Sequence, residues 1–351
     1  MDSTTDRHAS ANRVGRMTGP ELPAPRGPLS EAVIGRLRGA RVALPDRVRT
    51  TDVVDDDDAQ LALTCCYELH YASFADIDDD LEWSPEILRF RRRLEQSFMD
   101  EVRDVVGPAA PCPPGAVVDA LRSLAEDVGG RSLSRFVAES GTREHLREFC
   151  VHRSEYQRKE ADPHTWMIPR LTAGAKAAAV TIQYDEYGGG TAAGMHSELF
   201  ADTMRALDLD AQYAAYRDLL PGATLATTNL VSMFGLHRRL RAACVGHLAL
   251  FEMTSVGPMS RYAAACTRLG LDDAARAFYD VHVDADAWHE QVAQHDLVGG
   301  LLAAEPTVGG MVLFGARALT HVEARMATGI LAAWDRGATS LRQPIPAPVA
   351  A

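Results

Sequence analysis

The chain has 351 residues, of which 46% are hydrophobic and 24% are charged, and its formal net charge is −12 at pH 7. The hydrophobic content is typical of a packed globular core. The acidic balance argues against proteins that bind nucleic acids or anionic membranes, whose surfaces are basic. No apolar run is long enough to span a membrane, and residues 1–20 lack the apolar core of a signal peptide. We therefore expect a soluble, cytoplasmic protein with neither a nucleic-acid nor a membrane partner.

The N-terminal third of the chain predicts a polar arm followed by helices. Residues 1–29 are rich in Ser, Thr, Pro, Gly and Arg without periodicity, which indicates a disordered arm. Ser30 is a candidate N-cap for a first helix, four acidic residues from Asp55 favour the start of a second, and Pro85 suits the first turn of a third. Two more helices are predicted near residues 116–128 and 131–139, after a Pro/Gly loop at residues 107–115.

Glu68 and His70 lie two positions apart on the second predicted helix, so their side chains point in different directions. A shared metal ion is therefore not expected, although one of the two could line a pocket. The six cysteines form no CxxC pair, and they predict buried or free thiols rather than a zinc site or disulfides.

A glycine turn between two helices stands out in the middle of the chain. Residues 142–160 have helical spacing with a break at Asp162-Pro163, and an Ala-rich helix is predicted over residues 171–187. This helix stops at Gly188-Gly-Gly, and the next one begins near Met195. The glycines do not form a phosphate-binding loop, because neither a GxxxxGK[ST] motif nor a preceding strand is present. We expect them instead to turn the chain sharply between two close-packed helices.

The last third of the chain predicts almost continuous helix, in segments near residues 211–219, 222–237, 240–268, 271–303 and 305–336. Within the third segment, Gly257-Pro258 predicts a kink or a break. No internal repeat and no alternating strand pattern is present. The sequence thus predicts an all-α protein with one helical domain over residues 30–340 and a loose tail over residues 341–351.

Two histidines and a carboxylate lie on one face of a predicted helix. They are spaced as His282-x3-Asp286-x2-His289, and steps of four and then three keep all three side chains on one stripe. Such a set of ligands suits a redox-active transition metal such as iron. The alternative is a solvated acidic helix face that happens to carry two histidines. Apolar residues beside the stripe favour the metal, namely Val281, Trp288 and Val292.

A second set of candidate ligands consists of Glu160, Glu186 and His196. Each could be ordinary, because a glutamate at a helix end is usually solvated and a histidine after a glycine loop is often a cap. Glu186, however, nearly abuts the glycine turn and His196 starts the returning helix, so both can face the same interior space. With the stripe they provide three carboxylates and three imidazoles, a suitable number for two irons with positions open for O2.

Four parts of the chain carry a resemblance to a known family: Glu160, residues 185–200, residues 246–255 and the stripe from His282 to His289. Together they resemble the haem-oxygenase-like di-metal oxidases, a family of iron-containing redox enzymes, over roughly residues 55–338. The resemblance implies an all-α, haem-oxygenase-like bundle of about seven core helices plus short extra helices. It also implies a site that holds two Fe2+ ions without haem and uses O2 as co-substrate.

The resemblance further implies an O2-activating oxidase or oxygenase that acts on a small molecule in secondary metabolism. Members of the family oxygenate nitrogen, decarboxylate fatty acids to terminal alkenes or cleave C–C bonds. The implied substrate is therefore an amine, an amino acid or an aliphatic acid. The ligand spacing is most similar to the N-oxygenase type, although Ala193 stands where that enzyme has an additional carboxylate. An external electron donor and a homodimer are further expectations.

Three more acidic residues are candidates to orient the ligand imidazoles, namely Asp185, Glu198 and Glu252. Glu252 lies within an apolar helix, so its carboxylate is expected either to be buried with a partner or to face a cavity. No catalytic residue is predicted apart from the metal centre itself. The alternative function is a cofactor-binding or metal-binding helical protein of the haem-oxygenase or thiaminase-like fold without oxidase activity. Uptake of about two irons together with an optical band on exposure to O2 distinguishes the oxidase from this alternative.

Overall fold

The computed structural model describes residues 19–48, 50–126 and 130–346, except for the side chains of Asp284, Asp286 and Ala287. Its helices are α1 (Pro28–Leu37), α2 (Asp57–Glu68), α3 (Pro85–Val106), α4 (Pro114–Glu126), α5 (Leu133–Glu139), α6 (Arg143–Gln157), α7 (Asp162–Thr165), α8 (Ala173–Glu186), α9 (His196–Ala206), α10 (Gly222–Leu236), α11 (Arg241–Arg268), α12 (Asp273–Gln291), α13 (Gly299–Ala304) and α14 (Gly309–Asp335). A π-helical turn, Val292–Val298, joins α12 to α13. These ranges contain no strand, so the predicted all-α class is confirmed.

Helix α11 lies at the centre of the bundle and packs along both α12 and α14. Helix α9 packs on α12, α10 contacts α2 and α14, and α8 contacts the π-helical turn. Gly246 of α11 permits the close approach to α14, because a Cβ atom there would collide with the carbonyl oxygen of Val312. The packing brings together α8, α9, α11 and α12, which carry most of the candidate ligands.

The helix predicted over residues 211–219 is wrong. This segment contains only a 3-10 turn, Arg217–Leu219. The Asp210 side chain accepts a hydrogen bond from Gln212 N (2.8 Å), and Asp210 N donates to the Tyr216 hydroxyl (2.7 Å). Local bonds between side chains and the backbone compete with helix formation, and here they prevail.

Helix α11 continues through Gly257-Pro258, so of the predicted kink or break the break is wrong. A proline inside a helix removes one backbone hydrogen bond and costs about 3 kcal/mol. The extensive packing of α11 against α5, α12 and α14 offsets this cost. Tertiary contacts therefore override the local preference.

The N-terminal segment is bound to the helical core from residue 19 onward. The buried Arg26 guanidinium donates to the carbonyl oxygens of Arg217 and Leu220, at 2.7 Å each. These main-chain acceptors hold the cation in place and contradict the disorder predicted for residues 19–29. Residues 1–18 of the predicted arm lie outside the described residues.

The ends of the predicted helical domain differ slightly from the structure. Helix α1 begins at Pro28, so Ser30 lies inside its first turn instead of capping it. Near the C terminus, Arg342 N donates to the carbonyl oxygen of Leu219 (2.9 Å), which fixes the start of the predicted tail. Residues 347–351 of that tail lie outside the described residues.

No single helix in the described ranges is both long and apolar enough to cross a membrane. The pair Asp273–Ala304 and Pro306–Asp335, which is bent by 114°, reaches the required length and composition only when both halves are combined.

A buried ion network links α2 to the end of α6. Arg217 donates to the carboxylates of Glu68 (2.8 Å) and Glu155 (2.9 to 3.2 Å). Lys159 Nζ lies 3.2 Å from Glu68 and 3.5 Å from Glu155, and the Tyr213 hydroxyl donates to Glu68 (2.8 Å). Burial raises the pKa of Glu68, but Lys159 and Arg217 outweigh burial and lower it. Glu68 is therefore an ionised member of this network.

His70 lies apart from that network. Its ring nitrogens contact Glu82 (3.0 Å) and Arg91 (2.6 Å). The side chains of Glu68 and His70 therefore diverge, as their spacing predicts.

Candidate metal centre

The turn Gly188–Gly190 brings Glu186 and His196 together. Glu186 is the last residue of α8, and His196 is the first residue of α9. The three glycines have φ values of 70°, 61° and 84°, a left-handed conformation that other residues disfavour. The chain reverses so tightly that Glu186 Oε2 lies 2.8 Å from His196 Nδ1. The sharp turn predicted for these glycines is confirmed.

Replacing Gly188 with alanine is expected to disrupt this turn. The new Cβ atom would collide with the backbone of Gly194 and Met195, and the left-handed φ alone costs alanine about 1–2 kcal/mol. We expect the free energy of unfolding to fall by at least about 2 kcal/mol, measured by urea denaturation. We also expect weaker binding of Mn2+ in equilibrium dialysis, because His196 loses its position.

Gly174→Ala is the matched control for this prediction. Gly174 lies in the first turn of α8, and apart from its chain neighbours and the adjoining backbone of α8 no described heavy atom lies within 4 Å of the position that its Cβ would take. Alanine in a helix is favoured over glycine by about 0.5–1 kcal/mol. Equal unfolding free energies for the two variants would contradict the account of the turn.

Glu160 lies in a strained turn rather than in the last turn of a helix, because α6 ends at Gln157. The next residue, Ala161, has a φ of 75°, which is unusual for a residue other than glycine. Its carbonyl oxygen accepts a hydrogen bond from Gln183 Nε2 (2.7 Å). Gln183 precedes Glu186 by three residues, so one face of α8 holds the Glu160 turn and also presents Glu186.

The helix predicted around the histidine stripe is confirmed as α12. His282 and His289 are both buried on it, with 3% and 0% exposure. Asp286 lies between them on the same helix, and its side chain is outside the described part of the structure. Val281 and Trp288 are exposed instead of packing beside the stripe, because adjacent helix positions point to different faces.

The candidate ligands form two groups that share one residue. In the first group, donor atoms that lie within 4.8 Å of one another come from Glu160, Glu186, His196 and His282. In the second group, donor atoms at the same spacing come from Glu186, Glu252 and His289. All these side chains are buried. Glu186 Oε2 faces His196, whereas Oε1 lies 4.0 Å from His289 Nδ1, so one carboxylate lies between the two groups.

Hydrogen bonds fix the orientation of two imidazoles. His282 Nδ1 donates to the carbonyl oxygen of Phe278 (2.7 Å), which leaves the lone pair on Nε2, 3.8 Å from Glu160 Oε2. His289 Nε2 donates to Asp185 Oδ2 (3.0 Å), which leaves the lone pair on Nδ1 in the second group. Histidine ligands to metals usually have the other ring nitrogen held in this way. Asp185 thus lies where the sequence predicts an orienting residue.

The charges of the site favour an ionised Glu186. Burial raises the pKa of this carboxyl group, but positive charge on the metal-free imidazoles of His196, His282 and His289 outweighs burial and lowers the pKa to about 2. A bound metal ion would take the place of the protons that carry this charge. An ionised carboxylate with one oxygen toward each group has the form of a ligand shared by two cations.

A small cavity of about 10 Å³ adjoins both groups, with room for about one water-sized molecule. Its wall combines candidate ligands with the apolar side chains of Leu248 and Phe251. His164 also lines the cavity, contacts His247 (3.1 Å) and is kept neutral near pH 7 because burial lowers its pKa to about 4. The sequence pattern does not reveal His164, because the four-residue helix α7 is too short to show periodicity.

Two residues predicted to orient the imidazoles have other positions. Glu252 belongs to the second group itself, with Oε2 at 3.6 Å from His289 Nδ1. Glu198 pairs with Arg158 (3.2 Å) and is 45% exposed, so its carboxylate faces the surface and the orienting role predicted for it is not supported. Ala193, which stands where the N-oxygenase has an additional carboxylate, is exposed to solvent. The apolar residues next to Glu252 in the sequence predict that its side chain is buried, but they do not predict which helix the side chain faces.

Comparison with known proteins agrees with this geometry. The sequence model of a family described as iron-containing redox enzyme matches residues 147–324, just over half of the chain, and this range includes every candidate ligand. No curated protein matches the chain significantly. Buried carboxylates and imidazoles from several helices are a donor set that suits iron. The chain, an all-α protein of haem-oxygenase-like fold, belongs to the family of iron-containing redox enzymes.

Proposed function

We propose that the chain is an O2-dependent oxidase or oxygenase whose centre would hold two ferrous ions, with Glu186 among the residues that would hold each of them. The observation that carries this proposal is the division of the Glu186 carboxylate between the two groups. One oxygen lies 2.8 Å from His196 and the other 4.0 Å from His289. Helical bundles that react with O2 at paired irons use carboxylates and imidazoles that project inward from several helices.

Each of the two ions would have its own set of ligands. The first ion would be held by Glu160, Glu186, His196 and His282. The second would be held by Glu186, His289 and Asp286, and Asp286 is assigned only from its place on the α12 stripe. Ferrous iron, when bound, would supply the redox chemistry and the open coordination positions for O2.

The residues around the ligands keep the centre oriented and dry. The Phe278 carbonyl and the Asp185 carboxylate hold the lone pairs of His282 and His289 toward the two groups. Burial of the ligands keeps bulk water away from them. The cavity has room for a water-sized molecule, so a substrate larger than O2 requires the lining side chains to move.

The substrate and partners complete the proposal. A small amine, amino acid or aliphatic acid would undergo N-oxygenation, desaturation or C–C cleavage. Full reduction of O2 requires more electrons than desaturation or monooxygenation of such a substrate supplies, so an external electron donor is included. The net charge of −12 supports the expectation that neither nucleic acid nor membrane is a partner. A cytoplasmic homodimer is the proposed form.

Anaerobic reconstitution tests this function. The metal-free chain is loaded with Fe2+, excess iron is removed, bound iron is quantified and O2 consumption is followed with an electrode. We expect about two irons per chain and O2 consumption that neither the metal-free nor the zinc-loaded chain shows. Failure to take up iron, or iron uptake without O2 consumption, would contradict the proposal.

A further inference from the structure

A cleft lies between α3 and the turn that follows α10, and it shares no lining residue with the candidate metal centre. Its volume is about 360 Å³, whereas the cavity beside the metal centre measures about 10 Å³. Sites for small molecules commonly have volumes of about 300–1,000 Å³. Ionisable side chains predominate in the wall of the cleft, namely Arg92, Glu95, Asp100, Arg103, His237 and Arg239. The cleft therefore has room for a small molecule and a wall that can recognise charge.

The two carboxylates in the wall of this cleft already have partners. Glu95 is buried, and its carboxylate contacts Arg91 Nε (3.2 Å) and His237 Nε2 (2.9 Å). Asp100 lies 3.5 Å from Nη1 of Arg103, one helical turn further along α3. The negative charges of the wall are therefore engaged with neighbouring cations and do not offset the remaining arginines.

Arg92 and Arg239 are the cations of the wall that remain uncompensated. Both side chains are exposed, and neither has a carboxylate partner among the described residues. Arginine stays protonated at physiological pH, and two like charges in one concave wall repel each other. This arrangement contrasts with the net charge of the chain, which is −12. An anion bound in the cleft would supply the negative charge that these two guanidinium groups lack.

The backbone that carries the two arginines is held in place. Arg239 lies in the 3-10 turn Arg238–Leu240, which joins α10 to α11 and whose last residue is buried. Arg170 donates to the carbonyl oxygen of Leu236 (2.9 Å), just before this turn. Arg92 lies within the regular helix α3. Binding in the cleft therefore orders side chains but little backbone, which lowers its entropic cost.

We propose that this cleft binds a small molecule that carries a phosphate group. A phosphate monoester has a charge of about −1.5 to −2 at pH 7 and three strong acceptor oxygens. It therefore matches two guanidinium groups both in charge and in hydrogen-bond donors. A carboxylate has a single negative charge and two oxygens, which one arginine satisfies in a bidentate contact. Because no residue of the wall is a candidate metal ligand, binding is independent of the metal centre and of the function proposed for it.

Calorimetric titration of the full-length chain with phenyl phosphate, inorganic phosphate and benzoate tests this site. The titrations are made at pH 7 and low ionic strength, before and after a chelator removes bound metal. We expect phenyl phosphate to bind at least about 10-fold more tightly than benzoate, because it makes charged hydrogen bonds to a second arginine. Inorganic phosphate should bind more weakly than phenyl phosphate, because it fills less of the cleft. Removal of metal should leave these affinities unchanged, and added salt should weaken them, because the arginines are exposed.

Three variants show whether phenyl phosphate binds in the cleft. Arg92→Met and Arg239→Met each remove one uncompensated guanidinium group, and each should weaken binding at least about 10-fold. Arg336→Met is the matched control, because Arg336 is also exposed, has no carboxylate partner among the described residues and does not line the cleft. The control should bind phenyl phosphate as tightly as the wild type. All three positions are exposed, and circular dichroism checks that each variant is folded.

Three results would overturn the phosphate site. The first is a wild type that does not bind phenyl phosphate, or one whose affinity is unchanged in both Arg92→Met and Arg239→Met. The second is binding of benzoate as tight as that of phenyl phosphate, which would make the ligand a carboxylate. The third is tighter binding of a single-stranded oligonucleotide that depends on the same two arginines, which would assign the cleft to a nucleic-acid surface. None of these results depends on iron uptake, so this site and the proposed function can fail separately.

Discussion

Replacement of Glu186 with glutamine is expected to abolish tight metal binding in both groups at once. Glutamine has nearly the same shape but no charge, and each group loses the ligand that the two share. Removal of a residue that only orients a ligand weakens binding by about 10–100-fold. We therefore expect each ion to bind at least about 100-fold more weakly and iron-dependent O2 consumption to disappear. Calorimetry with Mn2+ and an oxygen electrode provide the two measurements.

The Glu186 prediction has a matched control in Glu198→Gln. Glu198 is also a glutamate near the glycine turn, but its carboxylate pairs with Arg158 at the surface. The control should retain both metal-binding steps and the O2 consumption of the wild type. Both variants should retain the helical circular dichroism spectrum. A Glu186→Gln variant that binds both ions as tightly as the wild type would show that Glu186 is not a shared ligand.

Replacement of Arg217 with methionine is expected to be among the most destabilising single changes in the chain. Arg217 is 3% exposed and contacts the carboxylates of Glu68 and Glu155, which would be left with Lys159 as their cation. Removal of one partner of a buried ion pair costs about 3–5 kcal/mol, because a buried charge remains uncompensated. Urea denaturation at pH 7 should show a loss of this size in the free energy of unfolding.

Arg205→Met is the control for the ion network. Arg205 pairs with Asp202 at the surface, and exposed pairs of this kind contribute about 0–1 kcal/mol. The stabilising effect of the network should also decrease in acid. The pKa of Glu68 is lower in the folded than in the unfolded chain, so its contribution is complete above the unfolded pKa and is lost as the pH falls through the folded pKa. Equal losses for Arg217→Met and Arg205→Met would contradict the prediction.

The ion network also helps to position the metal centre, because two of its residues are close to Glu160 in the sequence. Lys159 precedes Glu160 directly, and Glu155 lies in the last turn of α6. Lys159 contacts Glu68 and Glu155 contacts Arg217, and these contacts anchor the end of α6, from which the turn with Ala161 begins. Gln183 holds the same turn from the opposite side. Glu160 is therefore positioned by two supports, one ionic and one a hydrogen bond.

Much of the centre is predictable because local rules determine it. The spacing of His282 and His289 predicts that both lie on one face of a helix, and three consecutive glycines predict the turn that joins Glu186 to His196. The structure confirms the helix and the turn, and it shows that both imidazoles are buried. These features depend on residues close together in the chain, so periodicity and backbone conformational preference are sufficient to find them.

Other features depend on the packing of distant segments and were not predictable in the same way. Glu252 reaches His289 because α11 packs along α12, and no spacing within α11 indicates that contact. The segment around Asp210 has helical spacing, yet local side-chain bonds prevent a helix there. At Pro258 the local sequence disfavours a helix, yet packing on several sides keeps α11 helical. Sequence periodicity predicts neither the side-chain hydrogen bonds that compete with a helix nor the tertiary contacts that stabilise one.

The Mössbauer spectrum of the wild-type chain, loaded anaerobically with ferrous iron-57, tests the shared Glu186 carboxylate most directly. The two groups offer different ligands around that carboxylate. We expect about two irons per chain and two distinct ferrous doublets of equal area. One iron per chain with a single doublet, or no bound iron, would contradict a centre in which Glu186 joins two metal ions.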